Sequence, residues 1–314
     1  MGIGIKALIG WLPDDSGRDA MALAAALAST GNVTAQACTV LPQSWPFPSM
    51  AKVDAEYQRW LSERGVAAVR QADEQLRIHA IPVGDPAAFY VSNTAESAGL
   101  NEAAKQYGSD IIVLGSAPGP VGRFAPGSTT DSLLHSSAVP LALAPNGTRS
   151  TAAPISRISC AYVGTAQSKD ALRTSVALAS ALAIPLRLLA FAPRASSTYP
   201  PFGGYGAEDV VSAQWKEQAH QVIADAESSL RLDRPELSVT SEVGVGNGWE
   251  AAVGSIPFTD SDLLVVGSSR LGPIARVFLG SSASKIIRHA PVPMLVVPRG
   301  SSMRAAAATT VEES

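Results

Sequence analysis

The chain has two cysteines and four histidines in 314 residues, which leaves little for redox or metal chemistry to work with. Cys38 and Cys160 sit in separate apolar runs near the start of each half, where they are expected as small buried core residues in a reducing compartment and not as a disulfide. His79, His135, His220 and His289 are widely spaced, and none has a partner at metal-ligand spacing, so no metal is assigned. Charge is also scarce: 16% of residues are charged, with a net −3, which gives no electrostatic footprint for nucleic acid. Long hydrophobic runs are missing too. The apolar start at 3–12 is interrupted by Lys6 and is too short to cross a bilayer. It lacks the basic region and cleavage site of a signal peptide, and Lys6 stands where a myristoylation signal wants Ser or Thr. No membrane contact is expected, and the cytoplasm is the default compartment. There is no Walker-type Gly-Lys-Ser/Thr, the run Gly244–Gly248 lacks dinucleotide spacing, and no serine has a nucleophile-elbow context. Catalysis therefore has no visible carrier.

What the chain does have is an apolar content of 46% and a long internal repeat. An apolar run ending in Val265, Val266 and Gly267 crosses a loop through Ser268 and Arg270, then enters a helix-like segment at Gly280, Ser281 and Ser282. Earlier, Ile111 to Gly115 and Ser116 lead in the same way to Gly127 and Ser128. Both copies end in a short apolar strand between prolines, Pro140–Pro145 and Pro293–Pro298. Gly115 and Gly267 lie 152 residues apart, and Pro140 and Pro293 lie 153 apart, so each repeat has the size of a domain and not of a solenoid unit. The expected organisation is a domain over 1–145, a linker over 146–154, a second domain over 155–300 and a flexible tail over 301–314.

Strands and helices alternate in each half. In the first, strands are expected at 5–11, 32–41, 76–83, 110–114 and 140–144. Helices fill 19–29 and 50–74, and a further helix starts at the turn Gly84-Asp85-Pro86 and is stopped by Gly108. In the second, strands at 157–163, 185–191, 237–243, 263–266 and 294–297 alternate with helices at 168–183, 207–230, from Trp249, and 281–289. Such alternation predicts a doubly wound, five-stranded, mainly parallel sheet in each half, with helices on both faces. The ligand crevice then lies at the carboxyl ends of the strands, where strand order reverses.

The loop that joins a buried strand to a helix start presents backbone N–H groups without intrahelical partners, and the helix dipole adds to the attraction for an anion. In the second half this suggests a phosphate held by Gly267, Ser268, Arg270 and Gly280–Ser282, although a loop kept only for its strand-to-helix turn would read the same. In the first half Pro118, Pro120 and Pro126 remove N–H donors from the Gly115, Ser116, Gly127, Ser128 counterpart, which therefore reads as degenerate. The aromatic loops 42–48 and 199–205 suggest a second reading, a protein-interaction surface for an unknown partner.

Gly267, the gap to Arg270 and Gly280-Ser281, together with the turns Val83–Pro86 and Val245–Gly248, resemble the universal stress protein family in its tandem form, over roughly residues 5–298. The resemblance implies two Rossmann-like domains, a regulatory stress-response role without catalysis, and an adenine nucleotide such as ATP as ligand, with slow ATP hydrolysis as a lesser alternative. It also implies an intramolecular pseudo-dimer through the last strands, whose edges would equally serve a homodimer. Arg270 stands where the family motif has its second glycine. The first strand of nucleotide-binding members ends in an Asp that holds the adenosine; here Leu12 and Val163 stand there, and Val163 with Val266 completes the expected second-half site.

Overall fold

The computed structural model describes residues 4–43, 51–194, 205–268 and 281–300, and the chain divides into two units at Pro154/Ile155. In the first unit β1 (Ile5–Gly10), α1 (Asp15–Ala28), β2 (Val33–Pro42), α2 (Ala51–Ile78) and β3 (Val83–Asn93) are followed by α3 (Glu96–Tyr107), β4 (Ile111–Gly115), α4 (Ser128–Ser136), β5 (Leu141–Ala144) and the single turn α5 (Thr148–Thr151). The second contains β6 (Arg157–Ala161), α6 (Ala166–Leu182), β7 (Leu186–Arg194), α7 (Tyr205–Asp233), β8 (Val239–Asn247), α8 (Gly248–Gly254), β9 (Asp262–Gly267), α9 (Ser281–His289) and β10 (Met294–Val297).

The strands of each unit form a parallel sheet, in the order β3-β2-β1-β4-β5 in the first and β8-β7-β6-β9-β10 in the second. This is the doubly wound arrangement expected from the alternation of elements. The central strands are apolar throughout because both faces are covered: Leu8, Ile9, Ile112 and Val113 have essentially no exposed surface, and neither do Leu188, Leu263, Leu264 and Val265. Strand order reverses between β1 and β4 and again between β6 and β9, so the crevice of each unit opens there.

Helix starts follow local chemistry. Asp14 caps α1 by accepting the Gly17 N–H at 2.9 Å, and Thr165 caps α6 by accepting the Ser168 N–H at 3.3 Å.

Several boundaries differ from the sequence reading. Residues 76–83 were expected as the third strand, but α2 continues to Ile78 and β3 starts at Val83. The Gly84-Asp85-Pro86 segment, expected as a turn starting a helix, belongs to β3, with a register shift opposite Ala35/Ala37. An edge strand tolerates proline at such an irregularity, and α3 starts only at Glu96. The run Gly244–Gly248, expected as a turn, lies largely within β8, which runs to Asn247. Residues 146–154 read as a linker, yet α5 lies within them and is tied to the first unit. Asp19, wholly buried in α1, accepts the Gly147 and Arg149 N–H groups at 3.0 and 2.8 Å and pairs with the Arg149 guanidinium at 3.0 Å.

Candidate functional site

In the second unit the register Cys160↔Val265 sends β6 and β9 off the sheet side by side. Val163 and Ser268 each lie three residues further on, at the same end of adjacent strands. Val163 is 58% exposed, while Val266 is buried within β9. Gly267 has a packing reason to be glycine: a Cβ there would lie 2.3 Å from the carbonyl oxygen of Gln167, in the first turn of α6. Gly115 is held in the same way, with Ser16 O at 1.9 Å from such a Cβ. These glycines let the first helix of each unit close against the fourth strand, which places the loop after the first strand beside the loop after the fourth.

Ser268 follows directly. Its backbone N–H donates to Val297 O at 2.9 Å, and its side chain has no exposed surface. Its hydroxyl has no hydrogen-bond partner among the described residues. Ser282 is exposed in the first turn of α9, and of Ser281 the structure describes only its place at the helix start. Arg270 and Gly280 lie outside the described residues, as do the aromatic loop positions 44–48 and 199–204 and the tail 301–314.

The first unit completes the same plan differently. Ser116, also buried, accepts the Ala125 N–H at 2.8 Å and the Asn146 side-chain amide at 2.9 Å, and donates to Ala117 O at 2.9 Å. Asn146 also donates to Ala117 O at 2.8 Å, its own N–H reaches Arg123 O at 3.0 Å, and Ala117 N pairs with Ala125 O at 2.8 Å. These polar groups of the loop are thus satisfied from within, and Phe124 of the same loop is buried. Ser128 is exposed at the start of α4, which Gly127 precedes, and the next residue, Thr129, donates its hydroxyl to the Glu96 carboxylate. A carboxylate against a helix start opposes binding of a further anion there.

Sequence reasoning missed Asn146, because it lies in a segment that reads as linker. At the matching place after Pro298 the second unit has Arg299, which is exposed. Also missed was a 290 Å³ cavity in the second unit, lined by Tyr162, Val163, Phe191, Ala192, Trp215 and Val222 among others. The cysteines are buried and free as expected, and burial pushes both thiols up to about 12, with Glu96 adding to the effect at Cys38. Among the described residues no group of His, Cys, Asp and Glu could hold a metal ion, and no helix is long and apolar enough to cross a membrane.

The profile of the Universal stress protein family matches residues 7–145 and again 154–298. Universal stress proteins of Mycobacterium tuberculosis and Mycobacterium bovis are each 36% identical over 293 residues, which is 93% of this chain and 99% of theirs. Among solved structures, a universal stress protein from Archaeoglobus fulgidus superposes with a TM-score of 0.62 at 16% identity, covering 94% of this chain and 98% of its own. A Pseudomonas aeruginosa protein described as functionally unknown gives 0.54 at 12% identity, over 96% of this chain and 94% of its own. These two likenesses concern the fold.

Proposed function

The chain belongs to the universal stress protein family, and on that premise we propose that it is a regulatory protein of the stress response whose second unit alone binds a phosphate-bearing ligand, ATP among them. The contrast between Ser116 and Ser268 is the observation that carries this reading. A buried hydroxyl left unpaired costs about 1–3 kcal/mol, and a phosphate oxygen accepting the Ser268 O–H would recover it. The first N–H groups of α9 lack intrahelical partners and add their dipole to the attraction. Val163 offers no acceptor to a ribose, so the fit to the whole nucleotide is weaker than the fit to its phosphates. The residues bind and orient; no group positioned for a chemical step enters the reading.

Ser268→Ala separates ligand binding from packing. Removing an unpaired buried hydroxyl should leave the ligand-free protein as stable or more stable, by about 1 kcal/mol, while weakening ATP and tripolyphosphate about tenfold. Calorimetry and thermal melts give both numbers. Absence of binding heat in the wild type, or an affinity unmoved by the substitution, overturns the reading.

A further inference from the structure

We propose that the chain pairs with a second molecule of itself through the first unit, edge to edge along β3, with the two α2 helices side by side over the joint. This needs no ligand and stands apart from the phosphate reading. The strand order leaves β3 with β2 on one side and no strand on the other. Gln43 donates its N–H to Asn93 O at 3.0 Å, and the register from Cys38↔Phe89 to Pro42↔Asn93 then turns the peptide groups of Phe89, Val91 and Asn93 toward β2 and those of Ala88, Tyr90 and Ser92 outward. Among the described residues no hydrogen bond reaches those outward groups. No charged residue guards the run 87–95. The outer strand of the second unit is guarded: Val239 O of β8 accepts the Arg231 guanidinium, and the Val245 N–H donates to Ser255 Oγ, each at 3.1 Å.

The neighbouring helix identifies the partner. α2 packs on β2 and β3 and buries Leu61, Gly65, Ala68, Ala72 and Leu76. Trp11, at the end of β1, donates its indole N–H to Ala68 O at 3.1 Å on one flank, and the right-handed crossover from β2 to β3 turns the opposite flank toward the free edge. That flank has Arg59, Glu63, Val66, Arg70 and Asp73 at heptad spacing. Val66 is 42% exposed, and the four charged side chains make no ion pair among the described residues. Set antiparallel about Val66, two such helices place Arg59 against Asp73 and Glu63 against Arg70, so each facing charge meets its opposite. Pairing the edges about Tyr90 produces this arrangement. Ala88 then faces Ser92 and Tyr90 faces Tyr90, each pair exchanging both backbone bonds. Gly65 lies over the same point, since a Cβ there would be 2.8 Å from the Tyr90 ring. Edges joined at a strand spacing of about 4.8 Å set the two helices about 10 Å apart, an ordinary packing distance. The contact is isologous and closes as a dimer. An extended peptide on the edge would leave the charged stripe unmatched. In α7 the charges are spent within the chain, where Glu227 pairs with Arg231 and accepts the Ser241 hydroxyl.

Sedimentation velocity and amide hydrogen exchange on the full chain test this. Wild type should dimerise at or below sub-millimolar concentration, and exchange at Tyr90 and Ser92 should slow as concentration rises, while Phe89 and Val91 stay protected throughout. Arg59→Asp and Asp73→Arg each oppose like charges across the joint and should weaken association at least tenfold; the double variant, with the charges swapped, should recover it. Ser92→Pro removes only an outward N–H, so it should abolish the dimer and leave the pairing with β2 intact. Thermal melts of the dilute, monomeric variants should match wild type, because none of these side chains is in the core. A dimer indifferent to all of these substitutions, as one joined through β5 or β10 would be, overturns the proposal, and so does a double variant no better than the singles. A wild type that stays monomeric at sub-millimolar concentration overturns it too, and leaves the edge to an extended peptide.

Discussion

Asp110 and Asp262 open equivalent strands, yet their surroundings assign them different work. Asp110 accepts the Lys6 backbone N–H at 2.9 Å. Asp262, with no exposed surface, receives Arg157 in a bidentate pair at 2.6 and 2.7 Å, the Ser159 hydroxyl at 3.1 Å and the Thr259 N–H at 2.8 Å. Buried Arg187 links Ser159 and Glu242 at 3.1 Å each and reaches Asp262 at 3.5 Å. Burial opposes ionisation of Asp262, but the Arg157 and Thr259 hydrogen bonds and the two guanidinium charges outweigh it and hold the carboxyl below its usual 3.8. A depressed folded-state pKa means stabilisation that is complete above the unfolded value and lost as pH falls through the folded one. Asp262→Asn leaves two guanidinium groups without their buried anion and should cost about 3–5 kcal/mol at pH 7, against about 1 for Asp110→Asn. Urea melts at pH 7 and near pH 3 check this: the deficit of Asp262→Asn should shrink in acid, and an equal deficit at both would refute the electrostatic account. The sequence shows Asp262 at a strand start. It does not show the cluster, because Arg187 sits inside an apolar run and its partners come from three other strands.

Elements were legible where periodicity and punctuation agreed. The apolar runs before Gly10, Gly115 and Gly267, and the proline-bounded last strands, fall where expected because a buried parallel strand needs little beyond apolar continuity. β3 was displaced in the sequence reading because Gly-Asp-Pro has the chemistry of a turn, and only pairing along β2 makes it a strand. α5 was hidden for a related reason: four residues carry no period, and tertiary contacts hold them. Asp19 and Asp170 occupy matching places in α1 and α6, and both accept an N–H from the glycine that follows the last strand, Gly147 at 3.0 Å and Gly300 at 2.9 Å. Both glycines have positive φ, 86° and 72°. Asp19 adds the Arg149 N–H and guanidinium, whereas the cation paired with Asp170, Arg173, is 65% exposed. Asp19→Ala should therefore destabilise its unit by about 3 kcal/mol and Asp170→Ala by about 1. Hydrogen exchange at the Gly147 and Arg149 amides should accelerate in the first variant; protection equal to wild type would show that α5 is held by something else.

Across the whole molecule one pattern is used twice and completed in two ways. The repeat, its spacing and the proline-poisoned first loop are visible in the sequence, and they locate the crevice. The residues that close one copy are not visible as such: Trp11 and Leu41 read as the ends of strands, and Asn146 as linker. Their counterparts Tyr162, Ala192 and Arg299 leave the second copy with a cavity and, among the described residues, a buried hydroxyl without a partner. A chain built this way should take up one phosphate-bearing ligand, not two. Arg299→Asn would restore the amide that braces Ser116 in the first unit, give the Ser268 hydroxyl a partner within the chain, and so lower ATP and tripolyphosphate affinity at least tenfold without loss of thermal stability. Val163→Asp should act in the opposite sense. By adding an acceptor at the mouth of the site it should tighten ATP up to roughly tenfold, as expected for about 1 kcal/mol, while leaving tripolyphosphate unmoved because that ligand has no ribose. Calorimetric stoichiometry on wild type and both variants decides the matter: two ligands per chain, or an ATP affinity indifferent to both substitutions, would mean that the asymmetry of the two units governs packing and not binding.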